Sequence, residues 1–136
     1  MALSGLLLDT DTLSSFMRSD PAVVTRVDLY LSDHEFLPIL LMTRFEVLRG
    51  LKAKGATRRI RDFQQLCRRL QIFPISEDVI VKASDLYADL YRRGQLIGDA
   101  DLLIAATALV NGFGVATNNE AHFRRIPDLH VENWLK

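Results

Sequence analysis

The sequence predicts an α/β fold, a three-layer α/β/α sandwich around a short, mostly parallel central sheet. Short apolar runs alternate with longer stretches of helical periodicity, the order that builds layered α/β proteins. Within those runs the apolar residues are nearly continuous, as in strands covered on both faces. The chain has 136 residues, 49% hydrophobic and 25% charged, which fits one domain, 1–136, with a packed core. No repeat, low-complexity tract or linker divides it.

Leu3–Leu8 reads as the first strand, Pro38–Met42 as the second and Ile72–Pro74 as the third. Phe113–Ala116 is the fourth, and His130–Val131 a short fifth. Asp20-Pro21 opens a helix, with the acid at the cap and proline at the first helical position. Further helices are expected over Thr43–Leu51, Thr57–Leu70 and Ser76–Arg93. In the last of these Val79, Ala83, Leu86 and Leu90 share one face. Asp99–Asn111 is apolar almost all round after its first turn, hence central, and Gly112 stops it.

Seventeen basic and seventeen acidic side chains give a net charge of zero. They are unevenly spread. Residues 44–69 carry Arg44, Arg49, Lys52, Lys54, Arg58, Arg59, Arg61, Arg68 and Arg69 against only Glu46 and Asp62. This is either a phosphate-binding face or a solvated helical pair. The single cysteine, Cys67, makes no internal disulfide. No apolar run approaches the ~20 residues that span a bilayer, and no basic region precedes the N-terminal leucines. A cytoplasmic protein with no membrane contact is expected.

Ligands of such sheets bind beyond the carboxyl ends of the strands. Asp9 stands there, after the first strand, although aspartate also caps helices. Asp11 reads as a first-turn acid. Glu46 lies in Thr43-Arg-Phe-Glu46, which is locally a capping box. Asp99 follows Gly98 as a cap, with Asp101 in the first turn beside apolar surface. An unpaired carboxylate there is costly, and a hard divalent cation removes that cost. Thr117, Asn118, Asn119 and Glu120 follow the fourth strand. If the strands are neighbours, these groups share a cleft. His34, His122 and His130 have no zinc-like spacing, and no GxGxxG, Walker or GxSxG motif is present.

Two families resemble these residues. Asp9-Thr-Asp11-Thr12 and Ile97-Gly-Asp99-Ala-Asp101 are similar to the first and last motifs of haloacid dehalogenase-type phosphatases. Thr12 comes one place early, however, and the closing acids are differently spaced. The second resemblance covers nearly the whole chain: LLLDTDTLSSF (6–16), TRFEVLRG (43–50), IGDADLLIAATALVNG (97–112) and VATNNEAHFRRIPDLHVENW (115–134) resemble the PIN-domain ribonucleases, among them the VapC-type toxins of toxin–antitoxin pairs.

That resemblance implies a PIN-like fold. Asp9, Glu46 and Asp101 would form the catalytic metal site, for one or two Mg²⁺ or Mn²⁺. Thr117 would order it through its hydroxyl, with Asp99, Asn119 and Glu120 in support. A fourth acid common in the family is Asn119 here, so the ion count stays open. RNA, with tRNA suggested by the family, would lie along Arg44, Arg49, Arg58 and Arg59. Arg92, Arg93, Arg124 and Arg125 are outlying candidates for the same role. The implied partners are a second copy in a homodimer and a small VapB-like antitoxin covering an apolar groove near Leu13, Phe16, Phe45 and Leu48. Besides the ribonuclease and phosphatase readings, Asn119 motivates a third: an RNA-binding module without catalysis.

Overall fold

The structure is a computed structural model that describes residues 3–136. Five parallel strands form one sheet in the order β3-β2-β1-β4-β5. They are β1 (Leu6–Leu8), β2 (Leu37–Leu40), β3 (Leu70–Phe73), β4 (Gly114–Ala116) and β5 (Val131–Glu132). The chain fills the β1 side first, with β2 and β3, then crosses over to place β4 against the other edge of β1. The break between β1 and β4 is the topological switch point, where such sheets open a crevice at their carboxyl ends.

The seven helices of the described residues are α1 (Thr10–Met17), α2 (Pro21–Asp33), α3 (Leu41–Ala53), α4 (Thr57–Leu66), α5 (Glu77–Arg92), α6 (Asp99–Asn111) and α7 (Glu120–Phe123). Successive β1 side chains point to opposite faces, and the two halves of the core divide accordingly. Leu7 joins Val79, Ala83, Leu86 and Leu90 of α5 and Leu102 and Ile104 of α6. Leu6 and Leu8 join Leu13, Val23, Val27, Val47 and Phe63 from α1 to α4. This is the expected three-layer sandwich. Leu7 and Leu8 are fully buried, and each such side chain contributes about 1.5–3 kcal/mol by leaving water. Among the described residues no helix is long and apolar enough to cross a membrane.

Local chemistry explains several helix ends. Asp20 accepts the Ala22 and Val23 N–H groups ahead of Pro21, and Ser76 accepts that of Val79. Gly112 closes α6 in the left-handed region, φ 71°. Gly114 is required for a different reason: a β-carbon there would lie 2.8 Å from the His130 carbonyl oxygen.

Several boundaries differ from expectation. The first strand starts at Leu6, because Leu3 is exposed and outside the ladder. The second ends at Leu40, paired with Phe73, and the next residue already begins α3. The helix expected over 57–70 stops at Leu66. A 3₁₀ turn over Cys67–Arg69 then swings Leu70 into the sheet opposite Leu37, where it is buried. Asp99 is not the cap of α6: Gly98 holds that position, and Asp99 is the first helical residue. The single-turn helix α7 was not anticipated.

Candidate active site

Asp9 and Thr117 are the residues immediately after β1 and β4. Leu8 and Ala116 pair in register, so the two following side chains emerge together. The Asp9 N–H donates to the Ala116 carbonyl at 3.1 Å, which fixes its backbone. Its carboxylate is held at both oxygens. Oδ1 accepts the Thr12 N–H at 2.9 Å, and Oδ2 accepts the Thr117 hydroxyl at 2.5 Å. Asp9 therefore caps α1 and stands in the cleft at once. Thr12 reinforces the crossing by donating its hydroxyl to the Ala116 carbonyl at 3.1 Å.

From Thr117 the network runs to Asp101. The Asn119 N–H donates to Thr117 Oγ1 at 2.8 Å, and its side-chain amide donates to Asp101 Oδ2 at 3.2 Å. His122 Nδ1 lies 2.6 Å from that amide nitrogen and 3.5 Å from the same Asp101 oxygen. On the other flank the Thr10 hydroxyl donates to Glu46 Oε1 at 2.8 Å, with the Thr43 hydroxyl 3.3 Å away. Arg49 approaches Glu46 Oε2 at 3.9 Å and lies over the Phe45 ring.

The capping box expected at Thr43–Glu46 does not form. The N-cap of α3 is Leu40, without a side-chain bond, so Thr43 is already inside the helix. Freed from capping, Glu46 points toward Thr10.

Burial separates the acids. Asp9 is 4% exposed, whereas the side chains of Glu46 and Asp101 are 22% and 26% exposed. Burial pushes the Asp9 carboxyl above its ordinary range, against the opposing pull of the Thr117 hydroxyl and the Thr12 N–H. Glu120 is the reverse case. It is turned toward the C-terminus, where Lys136, Asn133 and Arg124 hold its carboxyl down at about 2. Asp99 is exposed beside a shallow cleft with Ile80, Tyr87 and Leu102, on the α5–α6 surface. The structure thus links Asp9, Thr117, Asn119 and Asp101 in one network and ties Glu46 to Thr10, the neighbour of Asp9. Glu120 is engaged elsewhere, and Asp99 faces the α5–α6 surface.

Among the described residues, no three His, Cys, Asp or Glu side chains close into a protein-only metal cage. The donors do fit a magnesium-like ion, which keeps several waters and takes one or two carboxylates. Asp9 is a buried carboxylate whose neighbours are hydroxyl, amide and acid, without a basic side chain among its hydrogen-bond partners.

A groove of about 600 Å³ runs from this site along α1, α3 and α4, lined by Thr10, Phe16, Glu46, Leu51, Arg59 and Leu66 among others. Of the four groove candidates, Phe16 lines it and Phe45 is exposed on α3. Leu13 is instead fully buried, because it faces the sheet, and Leu48 packs against the core. Arg58 and Arg59 are exposed on α4, and Arg44 is half-buried on α3.

Sequence reasoning passed over three contributors. Thr10 and Thr12 carry a signal, hydroxyls flanking an acid at a strand end. His122 stands three residues after Asn119, a helical spacing visible only once α7 is known.

The PIN domain family profile matches residues 6–129. Ribonuclease VapC1 of Methanocaldococcus jannaschii is 34% identical over 98 residues, covering 72% of this chain and 70% of that protein. The tRNA(fMet)-specific endonuclease VapC of Salmonella typhimurium is 28% identical over 130 residues, covering 94% and 96%. Among solved structures, VapBC2 from Rickettsia felis, bound to a DNA fragment from their promoter, superposes with a TM-score of 0.86 at 26% identity. It covers 96% of this chain and 98% of that one. The chain belongs to the PIN domain family, in its VapC-type branch. The phosphatase resemblance is set aside with this, since the PIN domain profile spans residues 6–129, nearly the whole chain.

Proposed function

We propose that this chain is a metal-dependent endoribonuclease toxin that hydrolyses RNA phosphodiester bonds. The observation that carries the reading is Asp9: a buried carboxylate at the switch point, held by Thr117 and linked through Asn119 to Asp101. Asp9, Asp101 and Glu46 would hold Mg²⁺ or Mn²⁺. When bound, such an ion supplies Lewis acidity, making water a better nucleophile and neutralising charge on the phosphate.

The chain's own part is positioning. Thr117 and Thr12 fix both oxygens of Asp9, leaving each with spare lone-pair capacity. Asn119 orients Asp101, and Thr10 orients Glu46. No side chain acts as nucleophile. Water attacks phosphorus and the 3′ oxygen leaves, giving a 5′-phosphate and a 3′-hydroxyl. Arg49 and Arg59, at the site and its groove, with Arg44 and Arg58 beside them, would hold the RNA backbone. Single-stranded or loop RNA fits best, because its bases are unstacked. The Salmonella relative's name favours tRNA as the first substrate to try.

The groove suits a small VapB-like antitoxin. Phe16, Met17, Leu51 and Leu66 offer an apolar wall that ends at Glu46, an acid for a basic side chain of the inhibitor. The VapBC complexes among the similar structures support such a partner. A homodimer is part of the same proposal, through exposed Ile80, Tyr87 and Tyr91 on α5.

The test is cleavage of total and transfer RNA with Mn²⁺, Mg²⁺ or chelator, comparing wild type with Asp9→Asn and Asp101→Asn. Metal-dependent cleavage lost in both variants is the expected result. Equal cleavage by the variants would remove the site, and RNA binding with no cleavage at any Mn²⁺ concentration would leave a non-catalytic module.

A further inference from the structure

His122 belongs to the acidic network but has no assigned role there. The other two histidines are engaged apart from it: His34 stacks on Tyr30, and His130 pairs with Glu132. His122 Nδ1 stands 2.6 Å from the Asn119 amide nitrogen and 3.5 Å from Asp101 Oδ2. An amide nitrogen is a donor only. The contact assigns Nδ1 as the acceptor, in the neutral tautomer with its ring proton on Nε2. What Nδ1 turns toward Asp101 is a lone pair rather than a proton. Two electron-rich atoms, one nitrogen and one oxygen, thus converge on the same amide.

That arrangement suits a shared cation. Adjacent ligand atoms around an octahedral ion with bonds of ~2.1 Å lie ~3 Å apart, and the 3.5 Å between Nδ1 and Asp101 Oδ2 closes to that with a small side-chain rotation. The His122 side chain is 40% exposed, so an ion can reach it from solvent. Its helix is anchored independently by the fully buried Phe123. Imidazole nitrogen favours first-row transition ions over magnesium, which prefers oxygen.

We propose that His122 Nδ1 is a ligand to the cation held by Asp101, which makes this a site for Mn²⁺ or a similar transition ion in preference to Mg²⁺. The inference rests on the metal-nuclease reading and adds a nitrogen donor to its carboxylates. Asn119 then has two duties: it holds Asp101 in place and stands in for the ion at Nδ1 when none is bound.

The experiment is pulsed electron spin echo spectroscopy of Mn²⁺ bound to the purified full chain, with calorimetric titration of Mn²⁺ and Mg²⁺. Wild type, wild type with ¹⁵N-labelled histidine, and His122→Gln are compared. A ¹⁴N modulation is expected in wild type, replaced by the ¹⁵N pattern on labelling and absent from His122→Gln. Mn²⁺ affinity falls about tenfold or more in the variant, and Mg²⁺ affinity much less. Bound Mn²⁺ without nitrogen modulation overturns the proposal and leaves the carboxylate site intact. So does a modulation unchanged in the variant. Failure of wild type to bind Mn²⁺ at all removes both readings. If His122→Gln does not fold, as judged by circular dichroism, the labelled wild-type spectrum decides alone.

Discussion

Asp9 and Glu120 both lie near the carboxyl ends of neighbouring strands, and their surroundings are opposite. Asp9 is buried, takes its hydrogen bonds from a hydroxyl and a backbone N–H, and is pushed up in pKa by desolvation. Glu120 meets Lys136, Asn133 and Arg124 and is pulled down to about 2. A carboxylate already neutralised by two basic side chains has little left to offer a metal ion. One kept among neutral donors carries an electrostatic demand that a cation meets. The pair shows that two acids near strand ends can have opposite surroundings, and that only the one kept among neutral donors suits a cation.

Breaking the first member of the pair has the largest expected effect. Asp9→Asn should reduce RNA cleavage by more than the ~100-fold typical of losing a group behind a metal ligand. The same change removes a buried charge, so the melting temperature of the metal-free protein at neutral pH should rise. A fall in both would make Asp9 a structural cap only. Thr117→Val comes next. It strips a hydroxyl from a fully buried position that serves Asp9 and the Asn119 N–H together. The expected costs are about 1–3 kcal/mol in denaturant unfolding and ~10–100-fold in cleavage.

Acid titration sharpens the contrast. Asp9 is raised in the folded state, so its contribution to metal-free stability is fully present below 3.8 and is lost as pH rises through its higher folded value. Glu120 is lowered: its contribution is present above 4.5 and is lost as pH falls toward about 2. Melting curves against pH for wild type, Asp9→Asn and Glu120→Gln should diverge from wild type in opposite directions, Asp9→Asn at higher pH and Glu120→Gln above acid pH. The smallest effect is on activity in Glu120→Gln, which should cleave RNA as wild type does. A large loss there would return Glu120 to the site.

Where local chemistry decides, the sequence was a good guide. Asp20-Pro21 and Ser76 start helices through their side chains, Gly112 stops α6 because it has none, and the Val79, Ala83, Leu86 and Leu90 face of α5 is buried as its period requires. An apolar run ending in Asp9, and Asp101 in the first turn of an apolar helix, were enough to bring those two acids forward. Thr43–Glu46 misled because a distant contact won. Strand pairing holds Leu40 extended against Phe73 and starts α3 there, while a hydroxyl from Thr10 draws in the glutamate. His122 was illegible for another reason. It sits on a helix of four residues, Glu120–Phe123, too short for any periodicity to announce it.

The order in which the strands are made has its own consequence. β1 is synthesised first but occupies the middle of the sheet, and its partner β4 follows about a hundred residues later. A chain still emerging from the ribosome, or cut short before Ala116, has Asp9, Glu46 and Asp101 but neither the strand nor the hydroxyl that holds the first of them. Contacts of such long sequence separation form late, because loop closure must precede them. If the chain is the toxin proposed above, its cleavage activity waits until β4 has been made, and copies terminated before Ala116 lack both the strand and the hydroxyl that hold Asp9.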